Sequence, residues 1–376
     1  MSLGIYVHYP YCARLCPYCD FNVTVRQTIP HTRYAEAVIA ELDARAARST
    51  TLGAATSIFF GGGTPSMWPA SCVANIIDSI RACLGLADGA EITIELNPED
   101  ASLASLTALS EAGINRLSIG GQSFEHDLLI KLGRQHVASD IDRTVHLARR
   151  AGIRNVSIDL IHGHVGQSIE SVIADLDRAA ALGVDHISTY QLTIEEKTKF
   201  GARARRGELL TEPDQRLLDM FRALRSRLSH HGYTPYEISS AARPGFECRH
   251  NLTYWSGEQY LALGAGAHGF IHGPDGGGVR WENVKDPTTY MVDALRGHPA
   301  ESWRSQTTQT ELEEELIMVG LRMDLGFRPT GSMRARFGKN AARLQAVGLL
   351  KVDHSGWRAT DRGREILDSV TVELLM

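Results

Sequence analysis

The segment Gly4-Ile5-Tyr6-Val7-His8-Tyr9-Pro10-Tyr11-Cys12-Ala13-Arg14-Leu15-Cys16-Pro17-Tyr18-Cys19-Asp20-Phe21 decides how the rest of the chain is read. Ile5–His8 is a short apolar run of strand type. It leads into three of the six cysteines of the chain, spaced C-x3-C-x2-C. Thiolates this close can converge on one metal centre. No nearby Cys or His completes a closed tetrahedral zinc site, which takes four protein ligands. Soft sulfur ligands suit iron–sulfur clusters, and three of them on a four-iron cubane leave one iron open to another ligand. A zinc knuckle whose fourth ligand comes from elsewhere in the chain is the competing reading.

Outward from this segment the sequence alternates. His31–Arg48 has helical spacing through Tyr34, Val38 and Leu42. Ser57–Phe60 is an apolar strand ending in Gly61-Gly62-Gly63-Thr64-Pro65-Ser66, with a helix over Ala70–Leu84 behind it. Glu91–Leu96 ends at Asn97-Pro98-Glu99 before a helix over Ser102–Ala112, and Arg116–Ile119 ends at Gly120-Gly121-Gln122-Ser123 before a helix over Ser139–Ala151. Asn155–Leu160, a helix over Ser168–Leu182, and His186–Gln191 complete the series. Buried apolar strands with short connections predict a parallel sheet.

Alternation alone does not separate a doubly wound sheet from a barrel. The polar residues do. The glycine runs, Glu95, Gln122, Asp159 and Tyr190 fall at or near the C-terminal ends of their strands, which meet on one face in a barrel. Six units predict a partial (β/α)6 TIM-like barrel. Gly61–Gly63 lacks nucleotide-loop spacing and by itself reads as a flexible turn or a phosphate cradle. Glu95 and Asp159, carboxylates within apolar strands, need partners.

A second informative stretch is Cys248-Arg249-His250-Asn251-Leu252-Thr253-Tyr254-Trp255, followed by the Gly-rich turn Gly264–His268. A loop imidazole among aromatic rings can ligate a haem iron. On chemistry alone, aromatic core packing explains the stretch better. Between the barrel and this stretch, Pro213–His230 is an amphipathic helix. Cys72 and Cys83 sit in an amphipathic helical segment and read as small core residues.

The composition excludes several classes. The 39 Lys and Arg against 44 Asp and Glu are evenly mixed, so no global field points to nucleic acid or an anionic membrane. No apolar run approaches a membrane span. Met1-Ser2-Leu3-Gly4 opens straight into a strand without a signal peptide, and clustered cysteines suit a reducing cytoplasm. From about Thr308 the order is helix Glu311–Arg322, helices Ser332–Phe337 and Lys339–Val347, a hairpin of Leu349–Val352 with Trp357–Ala359, and Asp361–Ser369. That order predicts a winged-helix-like unit. Its ten acidic and ten basic residues from Ser305 onward argue against phosphate binding and for a structural or docking role.

C-x3-C-x2-C behind a strand resembles the signature of the radical S-adenosylmethionine (SAM) superfamily. Tyr6-Val7-His8-x-Pro10 and Cys19-Asp20-Phe21 resemble its HemN/HemW branch. The resemblance covers nearly the whole chain. It implies a [4Fe–4S] cluster on Cys12, Cys16 and Cys19, with the methionyl amine and carboxylate of SAM on the open iron. Gly62, Gly63 and Thr64 would receive the amino group. Tyr6, Glu95, Gln122, Arg134 and Asp159 would line the SAM face, with Tyr18 beside the cluster. The string His250, Asn251, Tyr254 and Trp255 (H-N-x-x-Y-W) resembles the motif tied to haem in the HemW haem chaperones, and Arg280–Lys285 a further family segment.

Anaerobic coproporphyrinogen III oxidases carry a fourth cysteine two residues after the third and a long segment ahead of the cluster. Here Phe21 stands at that position and eleven residues precede Cys12. The resemblance therefore implies a cytoplasmic haem chaperone, working with a haem-acceptor protein such as a respiratory haemoprotein and an electron donor such as flavodoxin or ferredoxin. The alternative is a HemN-like enzyme, either an oxygen-independent coproporphyrinogen III oxidase or a class C methyltransferase. The expected division is 1–200 (barrel with cluster), 201–304 (accessory α+β region with the haem motif) and 305–376 (C-terminal unit). Two details depart from the family pattern: Gly121 replaces a bulkier aliphatic, and Ile161–Gln167 forms an unusual turn whose His162 and His164 read as a solvated pair.

Overall fold

The computed structural model describes residues 2–48 and 52–376; Met1, at the head of the expected opening, lies outside them. One sheet of twelve strands organises the chain. Its strands are β1 (Leu3–Tyr9), β2 (Ala55–Gly62), β3 (Leu86–Leu96), β4 (Arg116–Gln122), β5 (Asn155–His162), β6 (His186–Gln191), β7 (Thr234–Pro235), β8 (Ser240–Ala242), β9 (Gln259–Leu263), β10 (His268–His272), β11 (Gly278–Asn283) and β12 (Glu301–Thr307). In space the order is β12-β11-β10-β9-β1-β2-β3-β4-β5-β6-β8-β7.

Strands β1 to β6 pair in parallel and in sequence order, as the alternation predicts. A seventh parallel strand, β9, pairs with β1 across more than 250 residues of chain, Leu3 opposite Gln259 and Val7 opposite Leu263. The remaining pairings are antiparallel and extend the sheet at both edges. The two edge strands do not pair with each other. Yet side chains from β1 through β6 line one shared cavity, which requires a curved sheet. The result is a partial barrel.

Helices α1 (His31–Ala46), α2 (Ala70–Leu84), α3 (Leu103–Glu111), α4 (Ala138–Arg150) and α5 (Ile169–Ala181) follow β1 to β5 in turn. Each turns an apolar stripe inward; α2 buries Val73, Ile76, Ile77 and Ile80. Burying such a side chain fully contributes about 1.5–3 kcal/mol. Covered outside by helices and inside by its own cavity-facing rings, β1 is buried almost throughout. Cys72 joins this core, but Cys83, in the last turn of α2, is exposed. Position 83 is a heptad on from Ile76 but stands in the last turn of the helix, where Arg81, Ala82 and Cys83 are all exposed.

A separate core, including Ile317, Leu321, Phe337, Leu344, Trp357 and Leu374, forms the C-terminal unit. The expected hairpin is present, Leu350–Val352 against Trp357–Ala359. The two expected helices are one, Gly331–Ala346. Gly338 has open space around it and interrupts nothing, because Met333, Phe337, Ala341 and Leu344 bury a single continuous stripe.

Candidate functional site

The C-terminal ends of the parallel strands surround a cavity of about 380 Å³. The loop after β1 supplies Cys12, Cys16, Tyr18 and Cys19 as one wall; Gly62, Gly63 and Thr64 follow β2; Glu95 and Asn97 end β3; Gln122 ends β4; Asp159 belongs to β5. Arg134 reaches in from behind β4. The three thiols are free and partly buried. Thr64 Oγ1 lies 3.4 Å from Cys12 Sγ, and Arg134 Nη1 lies 3.8 Å from Cys16 Sγ. Burial raises the thiols of Cys12 and Cys19, the latter to about 11. Thiols so placed ionise when a metal compensates the charge.

Backbone geometry shapes the opposite wall. Gly62 has φ of 111°, and a Cβ there would collide with the ring of His8, while one at Gly63 would strike the carbonyl of Tyr11. The β2 backbone therefore approaches the cysteine loop as closely as glycine allows. Gln122 is the one non-glycine residue with positive φ, 64°, among the described residues, and β4 and β5 slip register between Ile119 and Gln122. Such strain persists where the surroundings over-determine it, often at binding sites. Arg134 Nη2 donates to Asn97 Oδ1 at 2.5 Å and to Gly120 O at 2.9 Å. Glu95 Oε2 accepts from Gly62 N at 3.1 Å; burial, and then the charge of Asp159, push its carboxyl up to about 8. Ser118 donates to Asp159 Oδ2 at 2.9 Å, leaving Asp159 Oδ1 without a partner.

The structure thus gathers Cys12, Cys16, Cys19, Tyr18, Gly62, Gly63, Thr64, Glu95, Gln122, Arg134 and Asp159 around one space. These residues fit a cluster with SAM: three soft ligands, a close backbone cradle, and carboxylates with an unpaired oxygen for a cation or ribose hydroxyl. Tyr6 belongs lower down. Its hydroxyl lies 3.0 Å from His8 Nδ1, and it lines a second cavity of about 150 Å³ below Glu95 and Asp159.

The floor of that second cavity is the H-N-x-x-Y-W segment. It is a helix, α6 (Arg249–Trp255), rather than a loop. Its neighbours come from the N-terminal ends of the barrel strands: Gly4, Ser57, Glu91 and, around the cavity, Arg116 and His186. Glu91 accepts from the backbone N–H groups of Arg249 and His250 at 3.2 and 3.1 Å, and from Cys248 Sγ at 3.6 Å. His250 Nδ1 bonds Ser57 Oγ at 2.9 Å and Nε2 bonds Tyr254 Oη at 2.8 Å. The ring stacks on Phe59, with centroids 5.2 Å apart, and is 1 % exposed. Burial lowers its pKa to about 3.

His250, the expected haem imidazole, is thus placed inside the protein rather than at its surface. Both ring nitrogens are already bonded inside the protein, and the residue closes the bottom of the barrel. Cys248, 1 % exposed and on Glu91, is equally inaccessible. Asn251 and Tyr254 line the inner cavity. Trp255 faces the other way, with the Arg322 guanidinium of the C-terminal unit stacked 4.6 Å from its ring. His162 and His164 are buried too, not solvated; His164 Nδ1 lies 2.8 Å from Val165 O, and His162 has no ring partner. At Gly121, Ile158 and Ile141 stand 3.2 and 3.3 Å from where a Cβ would be, so a larger residue would need those side chains to shift.

Sequence reasoning missed Asn97 and Arg116. Asn97 sits in the quoted Asn97-Pro98-Glu99 turn at a strand end, a position that marks barrel-mouth residues. Arg116, 1 % exposed at the start of β4, gave no such signal.

This arrangement, thiols on the loop after the first strand and a glycine cradle after the second, is that of the radical SAM proteins. A model of the radical SAM superfamily matches residues 6–179, and one of the HemN C-terminal domain matches 307–366. The chain is 37 % identical to the heme chaperone HemW of Bacillus subtilis (90 % of this chain, 86 % of that one) and 36 % identical to that of Escherichia coli (98 % and 97 %). It is 35 % identical to the mitochondrial radical S-adenosyl methionine domain-containing protein 1 of Bos taurus (99 % and 87 %). Among solved structures, coproporphyrinogen III oxidase (HemN) of Escherichia coli, a radical SAM enzyme, superposes with a TM-score of 0.81 at 25 % identity, over 99 % of this chain and 90 % of that one. The chain belongs to the HemW family of radical SAM proteins, whose cofactors are a [4Fe–4S] cluster and SAM.

Proposed function

We propose that this protein is a haem chaperone of the cytoplasm, which holds a SAM-liganded cluster at the barrel mouth and passes haem to an acceptor protein. The observation that carries the reading is the kinship over almost the whole chain with proteins named heme chaperones. Phe21 supports it, occupying the position of a fourth thiol. No helix among the described residues is long and apolar enough to cross a membrane, so a membrane-bound acceptor would be met from outside the bilayer.

In this reading Cys12, Cys16 and Cys19 ligate three irons. The backbone at Gly62–Thr64 and the side chains of Glu95, Gln122, Arg134 and Asp159 hold SAM on the fourth. When bound, the pair supplies one-electron chemistry at the sulfonium, with a flavodoxin or ferredoxin as the electron source. Arg134, fixed on Asn97 and Gly120, is set to pair a carboxylate. The floor helix lies under the inner cavity, on the side of the barrel opposite the cysteine face. The alternative, a HemN-like enzyme, rests on the close superposition with coproporphyrinogen III oxidase.

Haem-loaded protein mixed with an apo-haemoprotein acceptor tests the proposal. Under the chaperone reading the Soret band of the donor gives way to that of the acceptor, and acceptor activity returns. Haem retained by the donor under all cluster and SAM states would count against it.

A further inference from the structure

A haem iron needs an imidazole with a free nitrogen at the surface, and the H-N-x-x-Y-W helix offers none. His8, His136, His162, His164, His186 and His250 are all buried. One exposed histidine has the surroundings of a metal ligand. His268 opens β10, and its side chain is 65 % exposed. Its Nε2 lies 3.4 Å from Glu282 Oε1, directly across the β10–β11 register. Ligating imidazoles commonly place their second nitrogen against a carboxylate, which orients the ring and strengthens it as a donor. Lys285 Nζ lies 2.9 Å from the same oxygen and is itself exposed.

The next strand supplies an apolar surface. Trp303 stands opposite Glu282 and is 49 % exposed. Residues opposite one another share a face of the sheet, so His268 and Trp303 flank Glu282, about 10 Å apart at two strand spacings. The cluster loop adjoins this face. Asn22 Nδ2 donates to the carbonyls of Ala265 and Lys285, both at 3.0 Å, which ties the end of that loop to the turn ahead of His268. Phe21, next to Asn22, is 60 % exposed at the rim of the cysteine cavity.

We propose that haem binds on this exposed face beside the barrel mouth, with His268 as the iron ligand, Trp303 and Phe21 against the porphyrin, and Lys285 toward a propionate. The proposal rests on the haem-chaperone reading and assigns its cargo site. A shallow seat with one protein ligand suits a cargo that must leave again. Of the other exposed histidines, none has a carboxylate against its ring among the described residues. His231, half-buried, has Asp177 against its ring, but the pair joins the ends of two outer helices, Asp214–His230 and α5, rather than lying beside the barrel mouth.

The test is a haem titration of the reconstituted full chain, followed by Soret absorbance and by low-temperature EPR of the ferric form. His268→Ala should lose the histidine-ligated spectrum and weaken binding by more than about tenfold, and added imidazole should restore the spectrum. Glu282→Gln should shift the spectrum and weaken binding by about tenfold, as carboxylates behind metal-bound imidazoles do. His250→Gln, which keeps hydrogen-bonding capacity in the core, should bind haem as wild type does. Wild-type affinity and spectrum in His268→Ala, or their loss in His250→Gln with the fold intact by circular dichroism, would overturn the assignment while leaving the chaperone reading in place. A wild-type chain that binds no haem would overturn both.

Discussion

Glu95 shows how much of the site is set by single residues. Its carboxyl is held up to about 8 by burial and by Asp159, so it is protonated at pH 7 until a positive charge arrives. Pairing with SAM, as proposed, would release that proton. Affinity for SAM should therefore rise with pH by up to about tenfold per unit and level off above about 8; isothermal titration across pH 6–9 would show this, and Glu95→Gln should flatten the curve. The sign for stability is opposite. A carboxyl raised from 4.5 costs the cofactor-free fold stability as pH climbs through about 8. Glu95→Gln should melt above wild type at pH 8 and level with it at pH 4. Replacing Cys12, Cys16 or Cys19 by Ala should remove the visible absorption of the cluster, whereas Cys72→Ala and Cys83→Ala should retain it. Cys83, being exposed, should also react with a thiol reagent without loss of iron. The cysteine spacing and the polar strand ends were legible because chemistry and period coincide there. Cys83 was misread because a helical segment of mixed character does not show where its stripe ends.

Among the elements, the floor helix was the least legible. Residues 249–255 carry no local cap. Its first N–H groups are satisfied by Glu91, a strand residue 159 positions away from His250, so no local signal announces a helix. The motif led toward haem, while plain chemistry pointed to aromatic packing, and the packing is what the structure contains. His250→Ala would leave Ser57 and Tyr254 without partners and open a void against Phe59. That should cost about 2–5 kcal/mol, the range for a cavity plus unpaired buried groups, read as a lower midpoint in urea. Strand β9 was hidden for the same reason: Tyr260–Leu263 is apolar, but its partner β1 is at the other end of the chain. Strands β1 to β6 were readable because each is joined to its neighbour by one helix, which leaves a right-handed parallel pairing as the ordinary outcome.

At the scale of the whole molecule, two cores meet through charged and stacked contacts: Arg222 with Glu365 at 2.7 Å, Arg225 with Asp324 at 2.6 Å, and Arg322 on Trp255. Trp357 sits fully inside the smaller core. Trp357→Ala should therefore cost about 3–5 kcal/mol locally and melt the C-terminal unit early in calorimetry, with cluster content unchanged. The architecture itself is shared with a porphyrinogen oxidase, so architecture does not decide between carrier and catalyst. The most direct measurement sets the two side by side in one anaerobic preparation with cluster, SAM and a reductant. Haem is titrated in one portion, and coproporphyrinogen III is incubated in the other with product and 5′-deoxyadenosine followed over time. The account predicts saturable haem binding and no turnover of the porphyrinogen. Multiple-turnover decarboxylation without saturable haem binding would contradict it.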